Sequence, residues 1–451
     1  MATPSDEERT ASFARDAWPI AAKWSRSELA EHVPAGVLRP RDDEDVMKMV
    51  TAARAAGRSV VAVGGGSGVC GAAIPDARSL IMDMKGLGEI RAFDQIGMTV
   101  SVGAGVLGGV LEEWLSEKGF TCGHYPQSLH ISTVGGWLAT RGTGTFSNKY
   151  GGIEKLVQAL KVILPDGTSM SLGHAPRSAA GPNLMELFFG SEGTLGIVTE
   201  ITLRIFPKPR SQIFAAFRMP SLDSGVQAVR EFFFQECTPA LVRLYDPEES
   251  QHLYDAAGEV HGGALLLLGH EGHERIAEAE AAACGIILSG LGATILPARV
   301  AETWNAGRYR AAWLDANQLS DTIADSIEVS VGWAELMTIY DDVMAKIRPL
   351  CTVAMGHLSH FYQTGGMIYF IFQIQDPDTA SLKSRYARVW SIVTEAALAY
   401  GGTTTHHHGV GLARRSVFPK EIGEAAAAFL QTIKSAVDPD NILNPGKLAF
   451  R

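Results

Sequence analysis

The chain has 451 residues, of which 46% are hydrophobic and 20% charged, with a formal net charge of −10. That length exceeds what one compact core usually covers, so two or more domains are expected and general disorder is excluded. The acidic balance, with no lysine and arginine run interleaved with aromatics, excludes a nucleic-acid partner and argues against an anionic membrane.

The opening MATPSDEERT is acidic where a secretory leader is basic and then apolar, and it is expected to fray. VLRP comes before a helical pattern over 42–56, and SVVAVGGG then reads as a strand running into a glycine turn, a βαβ-like start. LIMDM and MTVSVGAG read as strands, and 107–118 reads as an amphipathic helix ended by Gly119. KLVQALKVILPDGTSM and GTLGIVTEITLRIFP read as strands joined by turns, with Pro207 and Pro209 expected to stop ladder pairing. A domain boundary is expected there. Beyond it, 211–373 mixes a helix at 224–235 with strands at 264–268 and 367–373, the pattern of a separate α+β domain. Helical spacing returns over 380–400 and 420–437, and DPDNILNPGKL closes the chain as a turn-rich tail. The longest aliphatic run, 264–268, is far too short to span a bilayer, so no membrane anchor is expected. The five cysteines are odd in number, widely spaced and without a CxxC pair, which argues against a disulfide framework and a zinc knuckle and fits a cytoplasmic protein.

Glycine placement carries the first chemistry. GSGVCG from Gly66 and GAGVLG from Gly103 both match GxGxxG, but Pro75 interrupts the helix after the first, and the second lacks an acidic residue at the ribose distance. Gly64, Gly65 and Gly66, followed by Ser67 and Gly68 after a strand, instead suit a curl of backbone N–H groups around an anion; the plain alternative is a turn needing positive φ. In PQSLHISTVGGWLAT, Ser132 and Thr133 precede Gly135, Gly136 and a helix, so a second anion cradle of hydroxyls and free helix N–H groups is expected. Gly142 would let backbone pass close to a flat ring, and GSEGTLGIVTE is expected to turn tightly at Gly193.

Together VAVGGGSG, PQSLHISTVGGW, YGGIEKLV and GSEGTLGIVTE, over about 37–207, resemble the FAD-binding domain of the vanillyl-alcohol oxidase and p-cresol methylhydroxylase superfamily, and NILNPGKL extends the resemblance to the chain's end. It implies an α+β fold: a p-cresol-methylhydroxylase-type FAD-binding domain of two α+β subdomains (1–209), an α+β cap over the flavin (210–419), and a C-terminal segment (420–451) returning to the first domain. Positions carried over as FAD contacts are Gly64, Gly65, Gly66, Ser67, Gly68, Pro126, Ser128, Ser132, Thr133, Gly135, Gly136, Thr140, Gly142, Ser147, Tyr150, Glu192, Gly193 and Ile197. Ser67 stands where flavin-tethering loops carry histidine, so noncovalent FAD is implied.

THHHGVG is the most unusual run. In extended backbone His406 and His408 would face one way and His407 the other. Such a cluster can exchange protons near neutral pH or, when charged, stabilise an anion; the bland alternative is one functional histidine with two packing neighbours. His406 and His408 could also join His357 or His360 at a metal. Related metal-dependent hydroxy-acid dehydrogenases read EHG here, and His407 takes the glutamate position, so no metal is expected.

HHHGVG, PALVRLYD and YQTGGMIYF are similar to the alkyl-dihydroxyacetonephosphate synthases, the ether-lipid branch of the superfamily. The similarity implies Tyr369 as a proton-transferring tyrosine, His406, His407 and His408 as active-site histidines, and Arg243 as an active-site arginine. That branch's second arginine aligns with Leu314, although Arg308 and Arg310 lie a turn or two earlier on a helix; the segment after Tyr245 is also short. Both departures favour a soluble small-molecule substrate. The expected activity is FAD-dependent oxidation of an anionic alcohol, hydroxy acid or amine by hydride transfer to flavin N5. The alternative is redox-neutral alkyl transfer through a flavin N5 adduct. The sequence leaves a homodimer open.

Overall fold

The computed structural model describes residues 10–259, 261–310 and 316–450. The opening nine residues and Leu314 lie outside the described residues. The chain divides into two units, the first built from 1–143, 152–207 and 407–451, the second from 144–151 and 208–406.

The first unit carries two sheets. Strands β1 (Gly36–Leu38), β2 (Val60–Val63) and β3 (Leu80–Asp83) pair in parallel in the order β1-β3-β2. Parallel strands need a crossover between them, and the helix Asp43–Ala55 supplies one, capped by the Asp42 side chain and burying Val46, Val50 and Ala53 on one face. The second sheet is antiparallel: β4 (Ile90–Asp94), β5 (Thr99–Gly103), β7 (Val157–Ile163), β8 (Ser169–Leu172) and β9 (Ile197–Arg204), in the order β4-β5-β9-β7-β8, while β6 (Phe120–Thr121) stands apart. Buried and part-exposed residues alternate along β9, as expected of a sheet with one face on a core. The proline pair does not simply end pairing. β10 (Phe206–Pro207) forms a short antiparallel ladder with β6, where a residue lacking an N–H is tolerated at an edge.

The C-terminal tail joins the parallel sheet of this unit. Val60 N–H donates to the Ile442 carbonyl at 2.7 Å, and Asn444 N–H donates back to Val60 at 2.9 Å. The helical pattern over 420–437 is two helices, Phe418–Ile422 and Glu424–Val437, broken at Gly423 with φ +84°.

The second unit is a seven-stranded antiparallel sheet: β11 (Ser211–Met219), β12 (Leu241–Tyr245), β13 (Ala264–Gly272), β14 (Thr294–Ile295), β15 (Thr322–Gly332), β16 (Val353–Tyr362) and β17 (Gly365–Gln375), in the order β14-β11-β13-β12-β16-β17-β15. Helices Leu222–Phe234, Glu274–Gly290, Leu336–Ile347 and Thr379–Ala399 pack against it. The first of these begins two residues earlier than its apolar periodicity suggests, because Ser221 and Ser224 form a reciprocal capping pair. Residues 144–151 also belong to this unit, through the short helix Ser147–Tyr150 packed on β12 and β16.

Candidate active site

In the first unit, the glycine turn after β2 lies directly on the 131–133 segment. A Cβ on Gly64 would sit 2.1 Å from Thr133 Oγ1, and one on Gly65 would sit 1.8 Å from the Ile131 carbonyl oxygen. Gly66 has φ +64° and open space around it. Among the described residues, the N–H groups of Gly65, Gly66, Ser67, Gly68 and Val69 engage no protein acceptor. Successive unspent amides around a left-handed glycine form a nest that suits an anion, and this is where the residues fit a diphosphate.

The second cradle is built differently from the sequence expectation. The N–H groups that should have been free at the start of the helix Val134–Ala139 are spent: Val134 donates to Val106, Gly135 to Ala104, and Gly136 to Thr133 Oγ1. Ser132 Oγ donates to the Ser128 carbonyl and accepts from Trp137 Nε1 at 2.7 Å. The loop after β5 packs so closely that a Cβ on Gly135 would sit 2.8 Å from Ala104, so the amides of Val134 and Gly135 are turned onto that loop rather than left for an anion. Pro126, Ser128, Thr140 and Gly142 are likewise engaged locally, with Thr140 Oγ1 on the Gly136 carbonyl and Gly142 N–H on that of Trp137.

Glu192 (φ +52°) and Gly193 (φ +71°) form the expected tight turn before Ile197 opens β9. The Glu192 side chain does something the sequence did not indicate. Its buried carboxylate accepts from Val410 N–H at 2.6 Å and Gly411 N–H at 3.0 Å, and so holds the end of the histidine run. Burial pushes its pKa up to about 7, against the lowering effect of those two amides, Lys447 and Arg414. A Cβ on Gly409 would sit 2.6 Å from the same carboxylate, which explains glycine there.

The histidine run is not an extended strand with alternating faces. Residues 406–408 run through bends, and the rings of His407 and His408 meet edge to face at 4.7 Å, a contact that strict alternation would prevent. The division of the chain falls within the run, between His406 in the second unit and His407 in the first. In the second unit the run starts on another buried carboxylate. Glu328 accepts from Thr405 Oγ1 at 2.7 Å and from His406 N–H at 3.1 Å. The His406 ring stacks on His360 and its Nε2 meets the Tyr362 hydroxyl at 2.5 Å.

Also in the second unit, register sets Tyr369 on β17 opposite Glu328 on β15 and His357 on β16. The Tyr369 and His357 rings lie 4.7 Å apart. Arg243 on β12 donates from Nη2 to His357 Nε2 at 2.8 Å; its Nε is buried with no acceptor, and no carboxylate lies within ion-pair reach among the described residues. The rings of Tyr245 and Trp304 flank the guanidinium. His357 Nδ1 meets Glu249 at 2.9 Å, and burial, with Arg243, holds the imidazole pKa below its ordinary value. Both His357 nitrogens are therefore engaged by protein groups. Ser147 Oγ meets His360 Nδ1 at 2.6 Å, and the Tyr150 hydroxyl donates to Glu271. Arg308 lies over the rings of Phe146 and Tyr309, and Arg310 is near it in sequence. Sequence reasoning missed Glu249, His357 in this role, Glu328 and Tyr362. The one readable signal was Glu328, a carboxylate set between Ile327 and Val329 in β15.

Comparison with known proteins places this arrangement. The family described as FAD linked oxidases, C-terminal domain, matches residues 208–448, and FAD binding domain matches 34–173. An alkyldihydroxyacetonephosphate synthase of Caenorhabditis elegans is 30% identical over 453 residues, covering 92% of this chain and 76% of that one. An uncharacterized FAD-linked oxidoreductase of Escherichia coli is 32% identical over 388 residues, covering 82% and 79%. A D-lactate dehydrogenase of Anaerostipes hadrus is 26% identical over 409 residues, covering 86% and 84%. Among solved structures, an alkyldihydroxyacetonephosphate synthase superposes with TM-score 0.80 at 25% identity, covering 98% of this chain and 82% of that one. p-Cresol methylhydroxylase with substrate bound superposes with TM-score 0.77 at 16% identity, covering 98% and 93%, and shares the α+β fold.

Proposed function

Because this chain belongs to the FAD-linked oxidases, we propose that it oxidises a soluble, anionic alcohol, hydroxy acid or amine. FAD, when bound, supplies the two-electron acceptor that takes hydride from the substrate carbon. In this reading the first unit is the cofactor domain, and the amides of 65–69 hold the diphosphate. Ser67 cannot tether a flavin as histidine can, so the cofactor is held noncovalently. The second unit supplies the substrate groups. Arg243 binds the substrate anion, and Tyr369, with His406 of the same unit, takes the proton lost from the hydroxyl or amine. None of the five cysteines is in a disulfide, and among the described residues no helix is long and apolar enough to cross a membrane; we place the enzyme in the cytoplasm.

The observation that carries this reading is Arg243. A guanidinium without a carboxylate partner, with one N–H on an imidazole and a buried Nε lacking an acceptor, needs an anion from outside the chain. A second reading, redox-neutral alkyl transfer, draws support from the similarity to alkyldihydroxyacetonephosphate synthases over more than 90% of this chain. Anaerobic titration of the yellow protein separates the two. Stoichiometric loss of flavin absorbance with D-lactate, glycolate or another simple donor supports oxidation. Product formation from acyl-dihydroxyacetonephosphate and a fatty alcohol, with no such bleaching by any simple donor, supports alkyl transfer. Protein that folds yet takes up no FAD contradicts both.

A further inference from the structure

We propose that Glu249 and His357 are positioning residues for Arg243: together they present a single neutral imidazole tautomer whose Nε2 accepts from the guanidinium and fixes its direction. The argument starts from donor chemistry. Arginine has five N–H donors and no acceptor, so the 2.8 Å contact between Arg243 Nη2 and His357 Nε2 requires an unprotonated Nε2. The proton of the neutral ring then sits on Nδ1, where both oxygens of Glu249 lie within reach, at 2.9 and 3.1 Å. A carboxylate can only accept, so Glu249 selects that tautomer.

The backbone holds the two residues in register. Asp246 accepts from Glu249 N–H at 2.8 Å and so caps the helix Pro247–Ala256, while its other oxygen accepts from Gly356 N–H and the Tyr340 hydroxyl, each at 2.7 Å. One buried carboxylate thus ties the start of the Glu249 helix to the residue before His357. The titratable or charged groups facing the imidazole are Arg243 and Tyr245 from β12, Glu249 from the helix and Tyr369 from β17, with the tyrosine rings 5.0 and 4.7 Å away. The Tyr245 hydroxyl accepts from Trp304 Nε1 at 2.6 Å, which fixes the two rings beside the guanidinium. With one edge held by His357 and its sides bounded by rings, the guanidinium keeps its remaining donors for a ligand carrying paired oxygens, a carboxylate or a phosphate. That last step rests on the function proposed above.

Two measurements on the FAD-loaded full chain test it. In a long-range proton–nitrogen spectrum of histidine-labelled protein, the signal lost in His357→Gln identifies His357. Wild type should show the neutral Nδ1–H pattern, Arg243→Met should keep it through Glu249, and Glu249→Leu added to Arg243→Met should shift it toward Nε2–H; an Nε2–H or doubly protonated pattern in wild type at neutral pH overturns the proposal. Calorimetric titration with oxalate and with inorganic phosphate then reads the arginine and shows which oxyanion it prefers. His357→Leu, which loses the acceptor, should weaken the tighter-binding anion about tenfold, and His357→Gln, which offers a carbonyl, should recover most of that loss. If Arg243→Met abolishes binding while His357→Leu binds like wild type, the positioning role is wrong although the anion site stands. If Arg243→Met changes nothing, the anion reading fails, and the tautomer spectrum still decides how His357 is held. Should His357→Leu not fold, the wild-type spectrum and the His357→Gln affinity remain decisive.

Discussion

Tyr369 carries the sharpest residue-scale expectation. Its ring rests on His357 and its strand register sets it opposite Glu328, so Tyr369→Phe removes a hydroxyl and leaves the packing in place. If that hydroxyl moves the substrate proton, kcat should fall by roughly 10²–10⁴, the range for positioned acid–base groups, with flavin content unchanged. Steady-state kinetics with the donor found by titration checks this, and full turnover in the variant removes Tyr369 from the mechanism. Glu192 makes a different claim, about pH. Its carboxyl is raised to about 7 in the fold from an ordinary value near 4.5, so between those values the folded chain binds more protons than the unfolded one, and stability falls as pH rises. Asp16, also raised to about 7, adds to the same slope, so the comparison has to be between variants. Glu192→Gln cannot titrate; denaturation midpoints should therefore show it gaining on wild type as pH rises through this window. Parallel curves for the two proteins would mean that Glu192 is not held in the way described.

At the scale of elements, what the sequence made legible was local pattern, and what it hid was partnership. The helix Asp43–Ala55, the strand alternation of β9 and the turn at Gly193 follow from periodicity and glycine placement, and all are present. The fate of the amides at 134–136 was not legible, because it depends on the loop after β5 packing onto them from about 30 residues away in sequence. The same holds for the histidine run. In the second unit Glu328 holds the His406 amide, and in the first Glu192 holds the amides of Val410 and Gly411, and neither carboxylate is near the run in sequence. A contrast within one turn follows. Gly65→Ala would drive a methyl into the Ile131 carbonyl and separate the turn from its support, so the protein should purify with little or no FAD. Gly66→Ala meets open space and costs only the left-handed backbone strain of ~1–2 kcal/mol, so the fold should survive with weakened FAD affinity. Flavin-to-protein absorbance ratios after gel filtration distinguish the two, and equal, full occupancy would show that the turn does not hold the cofactor.

At the scale of the molecule, expecting three consecutive segments and finding two interleaved units are different things. The chain passes between units after 143, 151, 207 and 406, and no composition shift marks the first two or the last. Only the proline-rich stretch near 207 carried a visible signal, since proline interrupts a ladder wherever it falls. How the tail is held in the first unit was invisible for the same reason. Lys434, on the last helix, is buried and directs its ammonium at the Thr194 carbonyl, the Leu443 carbonyl and the Asp438 carboxylate, so all three donors are satisfied. Asp438 in turn accepts from the N–H groups of Ile442 and Leu443, next to where the tail pairs with Val60. Removing one member strands the other charge in a dry site, which typically costs ~3–5 kcal/mol, whereas replacing both with apolar residues of similar size is often close to neutral. Lys434→Ala should therefore lower the melting temperature and, because Thr194 lies just beyond the Glu192 turn, also loosen FAD. The double variant Lys434→Met with Asp438→Leu should regain much of the melting temperature without regaining FAD affinity, since the tie to the Thr194 carbonyl is still missing. Thermal melts with and without added FAD separate the two effects; a double variant as unstable as Lys434→Ala would show that the ammonium's bonds to the two carbonyls, rather than the charge pair, hold the tail in place.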